Sequence, residues 1–419
     1  MSNTDFLTKL ERYAELIVVH GLNIGQGQLL NINAEPIHRE LARLIAKAAY
    51  SHGACLVDCP LSDPVLGRLR IEESCEDSLN FVPGYITGKY NELIDSKAAN
   101  LKLVGSEFPD ILQGLSPERI NKVRLANYTA VKRFYEDGIG KSLVHWCVAG
   151  AATSAWASKV FPNLSEEEAL ESLWESIFRI CRVDRPDFLE EWGRHNSDLV
   201  SRSKKLSTLK IKELHFVGPD TDLKVALSEK AIFKGGREMS ALGREFEPNL
   251  PTEEVFTTPD RRLTQGHVKA TRPFMVNGIL VKDLSMTFAE GRLESFSASE
   301  GAETFRTYVD SDPGGRFLGE VALVGIDSPI YQSGLIFQEI LFDENAACHI
   351  AVGSAYKFCL ENGANLNKTQ LEEIGCNEST VHTDMMISSE KVDVTGTTYS
   401  GEQIPIIRAG EWVGEFGRD

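Results

Sequence analysis

The chain has 419 residues, 42% of them apolar and 25% charged, which is the balance of a soluble globular protein of two or three domains. Lys and Arg number 44 against 61 Asp and Glu, a net charge of −17. That sign argues against nucleic acid or an anionic membrane as a partner, since both are held through basic surface, and suits a ligand with a free amine.

In chain order, the spacing of Phe6, Leu10, Tyr13 and Ile17 predicts a helix capped by Thr4. Residues 29–34 read as a strand, 38–50 as a helix with Leu41, Leu44, Ile45 and Ala48 on one face, and 54–57 as a second strand. Strand, helix, strand at this spacing is the signature of a parallel α/β unit. Ser116 and Pro117 open a helix expected to run to about Glu136, and residues 143–148 are again strand-like. Ser165 and Glu168 form a capping box before the periodic run Leu173, Ile177, Ile180. Beyond about residue 205 the pattern changes. Residues 209–216 and 223–227 alternate as half-buried strands, and 278–288, Glu290-Gly291 and 292–296 read as strand, turn and strand. The expected architecture is therefore an α/β N-terminal domain (1–210) with a largely parallel sheet, followed by a strand-rich α+β C-terminal domain (211–419).

Compact signatures are missing. There is no His-Glu-x-x-His, no GxSxG and no complete phosphate loop, and the glycine-rich 21–27 lacks GxGxxG spacing and reads as a turn. No apolar stretch approaches the ~18 residues of a spanning helix, and residues 1–5 show no secretory leader pattern. The eight cysteines form no CxxC pair, so reduced thiols and a cytoplasmic location are expected.

Chemistry must then come from dispersed residues. Of nine histidines, the first seven (His20, His38, His52, His145, His195, His215 and His267) read as ordinary hydrogen-bonded residues. His349 lies in a small, apolar stretch, and if that stretch is helical, Tyr356 falls two turns on along the same face. A buried imidazole needs a partner, either a metal or a backbone carbonyl. His382 and Asp384 are two apart on a strand-like segment and share a face, as a metal pair or a hydrogen-bonded pair would. Glu320 interrupts an otherwise apolar strand, where a carboxylate requires a metal or an ion-pair partner. Glu253 and Glu254 lie in a segment framed by Pro251 and Pro259. Together these donors match a two-metal hydrolytic centre.

At these residues the sequence resembles the aminopeptidase T and aminopeptidase S family of metallo-aminopeptidases, also called the thermophilic metalloprotease family. The matching segments are NLPTEEVFTTPD (249–260), GRFLGEVALV (315–324), LFDENAACHIAVGSAY (341–356) and VHTDMMI (381–387), with LERYAELIVVHGLNIGQGQ (10–28) near the start. The resemblance implies a homodimeric cytoplasmic exopeptidase that removes the N-terminal residue from peptides with two divalent ions, zinc or cobalt. Carried over, the metal ligands are Glu254, Glu320, His349, His382 and Asp384, with Glu320 as the bridge and Glu254 favoured over Glu253. Tyr356 sits beside the metals as ligand or hydrogen-bond donor. Glu344, which precedes the His349 segment, is a candidate base or amine anchor, with a surface helix-cap acid as the alternative. The catalytic residues are then Glu320, Tyr356 and Glu344, all in the C-terminal domain. Two alternatives stay open: an inactive peptide- or metal-binding protein of the same fold, and another two-metal amidohydrolase.

Overall fold

In the computed structural model, which describes residues 3–417, the first helix runs Asn3–Leu16. Thr4 is inside it and not at its cap, because the chain is already helical at Asn3. Its apolar stripe is buried, with Tyr13 and Leu16 fully inaccessible, and Ile17, equally buried, opens the π-helical turn Ile17–Gly21 that follows. Phe6 and Tyr13 pack edge-on against Trp174 of the helix Glu166–Ile180, whose start carries the expected Ser165–Glu168 capping box.

The chain divides into two compact units: residues up to Gly193 with Arg237–Leu250, and Arg194–Gly236 with everything from Pro251 on. The first unit is built on a five-stranded sheet in the order Leu56–Asp58, Leu29–Asn33, Ala99–Val104, His145–Gly150, Asn249–Leu250. All four pairings are parallel. Helices Arg39–Ser51 and Pro117–Ala130 follow from the periodicity, the latter capped by Ser116 with Pro117 in its first turn. It stops at Ala130, short of Glu136, and Phe134–Ile139 forms a separate turn of π-helix. Of the glycine-rich 21–27, Gly21 closes the π-helical turn Ile17–Gly21 and the rest is loop and turn, where Gly27 N–H donates to Gly53 O at 2.7 Å.

The second unit is strand-rich and antiparallel. Its eight-stranded sheet runs Arg292–Ser297, Ser285–Ala289, Gln265–Lys269, Thr221–Ala226, Ile211–Gly218, Asp393–Thr398, Gln403–Arg408, Glu411–Trp412. The hairpin at Glu290-Gly291 is a two-residue turn with both φ positive (47° and 79°), the geometry that matches strand twist and favours glycine second. Residues 278–288 are not one strand. Asp283 adopts φ 51° and breaks the run, so Ile279–Val281 pairs with Phe274–Val276 and Ser285–Ala289 joins the large sheet. A large apolar core, including Phe216, Phe288, Val321, Ile350 and Val394, fills most of this unit, and a smaller cluster gathers Ala355, Leu360, Leu371, Ile374 and Cys376. Among the described residues no helix is long and apolar enough to cross a membrane.

Candidate metal centre

Four strands of the second unit carry the site: Val255–Thr257 (β1), Leu318–Leu323 (β2), His349–Gly353 (β3) and His382–Met386 (β4), antiparallel in that order. Their sequences explain the element. Val321, Leu323, Ile350, Val352 and Met385 alternate onto the face that enters the apolar core. The opposite face receives the polar residues. Register places Glu320 across from Ala351, Ala351 across from Asp384, Ala322 across from His349, and Gly353 across from His382. Facing residues in an antiparallel ladder project to the same side, so Glu320, His349, His382 and Asp384 share one face. Ala322, Ala351 and Gly353 between them are small, which leaves room above the sheet.

The segment of His349 is therefore a strand and not the helix on which the two-turn spacing to Tyr356 depended. Ile350 and Val352 are β-branched and fully buried between β2 and β4, a setting that favours pleated backbone. Tyr356 comes after the strand, at the start of the short turn Lys357–Cys359, and reaches the same place by another route.

The structure brings all five proposed ligands together. His349 Nε2 lies 3.1 Å from Glu254 Oε2, 3.8 Å from Glu320 Oε1 and 3.9 Å from Asp384 Oδ1. His382 Nε2 lies 3.2 Å from Glu320 Oε2 and 3.6 Å from Asp384 Oδ1. These fall into two groups with donor atoms within 4.8 Å of one another, Glu254–Glu320–His349 and Glu320–His382–Asp384. Glu320 is common to both and offers a different oxygen to each histidine.

The orientation of the imidazoles is informative. His349 Nδ1 faces Ala347 O at 3.2 Å, and His382 Nδ1 faces Ser354 O at 2.8 Å. A carbonyl only accepts, so each Nδ1 must donate, and a neutral ring then has its lone pair at Nε2. Both Nε2 atoms thus converge on carboxylate oxygens. Glu254 Oε2 and Asp384 Oδ1 are buried without a hydrogen-bond partner. Lone pairs facing buried anions are unfavourable unless a proton or a cation lies between them. A donor set of two imidazoles and three carboxylates, each imidazole steadied by a backbone carbonyl, fits divalent metal.

Proton affinities report the same crowding. Burial pushes the Glu254 carboxyl up, against the pull of His349. Burial also opposes ionisation of Glu320, yet His349 and His382 hold it down at about 2. Both histidines are raised well above the usual imidazole range: burial acts to lower them and is outweighed by Glu254 and Glu320 at His349, and by Asp384 and Glu320 at His382.

Two further groups border the cluster. Tyr356 Oη is 3.3 Å from His382 Nε2, and its ring stacks on Phe358 with Phe256 edge-on. Desolvation, then the charges of Glu320 and Asp384, raise its phenol well above the usual range, so it keeps its proton. Glu344 occupies the turn Glu344–Ala346 before β3. Burial, then Asp384 and Glu254, raise its carboxyl strongly. Glu253 turns elsewhere: its carboxylate lies 3.6 Å from His195 Nε2. Histidines read as ordinary do have ordinary partners, as His38 with Gly105 O at 2.8 Å and His215 with Asp222 at 2.7 Å show. Sequence reasoning passes over Ala351, Asn345 and His195. None of the three carried a distinct signal: Asn345 follows Asp343 and Glu344 as one more polar residue before the apolar stretch of His349.

A family model described as Thermophilic metalloprotease (M29) matches residues 6–412. Aminopeptidase 2 of Geobacillus stearothermophilus is 40% identical over 410 residues, covering 97% of this chain and 98% of that protein. Aminopeptidase T of Thermus thermophilus is 40% identical over 408 residues, covering 97% and 99%. Aminopeptidase PepS of Streptococcus thermophilus is 37% identical over 410 residues, covering 98% and 99%. A solved structure, wild-type AmpT from Thermus thermophilus, superposes with a TM-score of 0.90 at 39% identity, covering 98% of this chain and 100% of that one.

Proposed function

The chain belongs to the thermophilic metalloprotease (M29) family, a metallo-aminopeptidase family, and from that premise we propose that it removes the N-terminal residue from peptides at a two-metal centre formed by Glu254, Glu320, His349, His382 and Asp384. The observation that carries the reading is the pair of histidines. Each is turned by a backbone carbonyl so that Nε2 meets carboxylate oxygens, two of which have no hydrogen-bond partner. Glu320 would hold both ions, since its two oxygens face the two histidines separately.

When bound, a pair of divalent ions supplies Lewis acidity that activates a water near neutral pH and polarises the scissile carbonyl. The rest falls to side chains. Tyr356, which keeps its proton, donates a hydrogen bond to the oxyanion that develops as the carbonyl is attacked. Glu344 takes the proton of the attacking water or anchors the substrate's free amine. Its raised proton affinity suits the first role, and the surrounding carboxylates suit the second. The C-terminal domain, 211–419, holds this machinery. The preference for zinc or cobalt and the homodimer rest on the family resemblance. A cytoplasmic setting is supported by eight free cysteines, five of them buried.

The test combines elemental analysis with turnover. About two divalent ions per chain and chelator-sensitive cleavage of an aminoacyl anilide, with no cleavage of its N-acetylated form, are expected. An acetylated peptide cut at the ordinary rate, or full turnover after exhaustive chelation, overturns the reading.

A further inference from the structure

Glu253 and Glu254 are both carboxylates, adjacent and buried, yet they face different surroundings. The segment that presents them has no ladder of its own, because β1 begins only at Val255. Something else must fix its backbone.

One peptide group is held at both ends. The carbonyl of Thr252 accepts from His195 Nε2 at 2.8 Å, and the N–H of the same peptide bond, on Glu253, donates to Asn345 Oδ1 at 2.7 Å. The carbonyl only accepts and the N–H only donates, so His195 must carry its proton on Nε2 and the Asn345 amide must present its oxygen. Carbonyl and N–H point to opposite sides of a planar trans peptide. Two grips on opposite sides fix the tilt of that plane, and with it the direction in which the next two side chains leave. Both gripping residues are buried, His195 at 4% exposure and Asn345 at 0%.

Each grip is itself anchored. His195 stands on the helix Phe188–Thr208. Asn345 donates through Nδ2 to Leu341 O at 3.0 Å and to Glu344 Oε1 at 3.4 Å, while its own carbonyl accepts from Ser328 Oγ at 2.6 Å. Asn345 thus ties the turn bearing Glu344 to the segment bearing Glu254.

We propose that His195 and Asn345 are positioning residues which, by clamping the Thr252–Glu253 peptide from both sides, aim Glu254 and not Glu253 at the metal cluster. The proposal rests on the metal-dependent reading above. It concerns the geometry of one ligand, and neither residue is asked to touch metal or substrate.

The experiment is a chelator-competition titration of Zn²⁺ into the metal-stripped full-length protein. Wild type and Glu254→Ala come first: tight binding by the former and its loss in the latter establish the ligand. His195→Ala and Asn345→Ala should then bind about 10–100-fold more weakly, the range for removing a group that steadies a ligand. His195→Gln, which restores an N–H donor near Nε2, should return to within about 3-fold of wild type, and Glu253→Gln should bind as wild type. Wild-type affinity in both folded Ala variants overturns the proposal, as does equal weakness of His195→Ala and His195→Gln. Should Asn345→Ala not fold, the His195 pair decides. If wild type binds no metal, the metal reading itself falls, and this proposal with it.

Discussion

Glu320 and Asp384 stand on strands that are not neighbours, with only the methyl group of Ala351 between them in the ladder. Ala351 is fully buried and shares their face, so its size sets the depth of the space in which both carboxylates meet. Ala351→Leu would place a branched side chain there. We expect it to abolish metal uptake while lowering stability by about 1–3 kcal/mol, the ordinary cost of overpacking. Ala351→Gly should retain metal. Metal content and thermal melts of the two variants check this, and stoichiometric metal in Ala351→Leu would refute it.

His349→Ala and His382→Ala should each lower kcat/KM by more than about 100-fold, beyond what loss of a ligand's hydrogen-bond partner costs. The apolar face of the sheet is untouched by either change, so near-UV circular dichroism should stay that of the wild type. Assay of metal-checked variants decides, and normal turnover in both would remove them from the centre.

Loading the site should also release protons. Without metal, Glu254, Glu320 and Asp384 keep the two imidazoles charged above their usual range despite burial. Each must lose its Nε2 proton to bind a cation. Calorimetric titration of Zn²⁺ into the metal-stripped protein near pH 7, in buffers of different ionisation enthalpy, should give a slope of about two protons per chain. A slope near zero would mean that the rings are already neutral.

Much of the fold and of the site is legible in the sequence. Capping at Ser165 and the stripe through Tyr13 are local signals, and the structure shows both. Glu320 inside an apolar strand was visible because a buried charge is expensive and demands a partner. The His382–Asp384 pair followed from the two-residue period of a strand. The His349 segment was harder. Alanines and a glycine around Ile350 and Val352 fit either period, and only the flanking strands β2 and β4 settle it as a strand. The break at Asp283 was invisible because positive φ at an aspartate leaves no pattern in the chain. The Thr252–Glu253 clamp joins residues more than fifty positions apart through backbone atoms, about which side-chain identity says nothing.

Tyr356→Phe removes one hydroxyl and leaves the ring stacked on Phe358. If that hydroxyl donates to the developing oxyanion, kcat should fall by roughly 10²–10³-fold while KM changes little. A rise in KM at constant kcat would instead assign the tyrosine to substrate binding.

Stability should also depend on pH through a buried carboxyl of the first unit. Glu247 is buried in the first unit, where it accepts a hydrogen bond from Trp192 Nε1 while its Oε1 has no hydrogen-bond partner. Burial lifts its carboxyl to about 8, against the opposing effects of Trp192, Arg237 and Arg182. In the unfolded chain it ionises at the ordinary value near 4.3. The folded state therefore holds a proton that the unfolded state releases. The stabilisation is fully present below about pH 4, drains away as pH rises toward 8, and is constant beyond. Glu247→Gln keeps an acceptor for Trp192 and never ionises. Its unfolding free energy should match that of the wild type near pH 4 and exceed it increasingly up to about pH 8, by an amount on the order of a few kcal/mol. A variant that is equally or less stable throughout that range would show that Glu247 is ionised in the fold, with its charge balanced by Arg182 and Arg237.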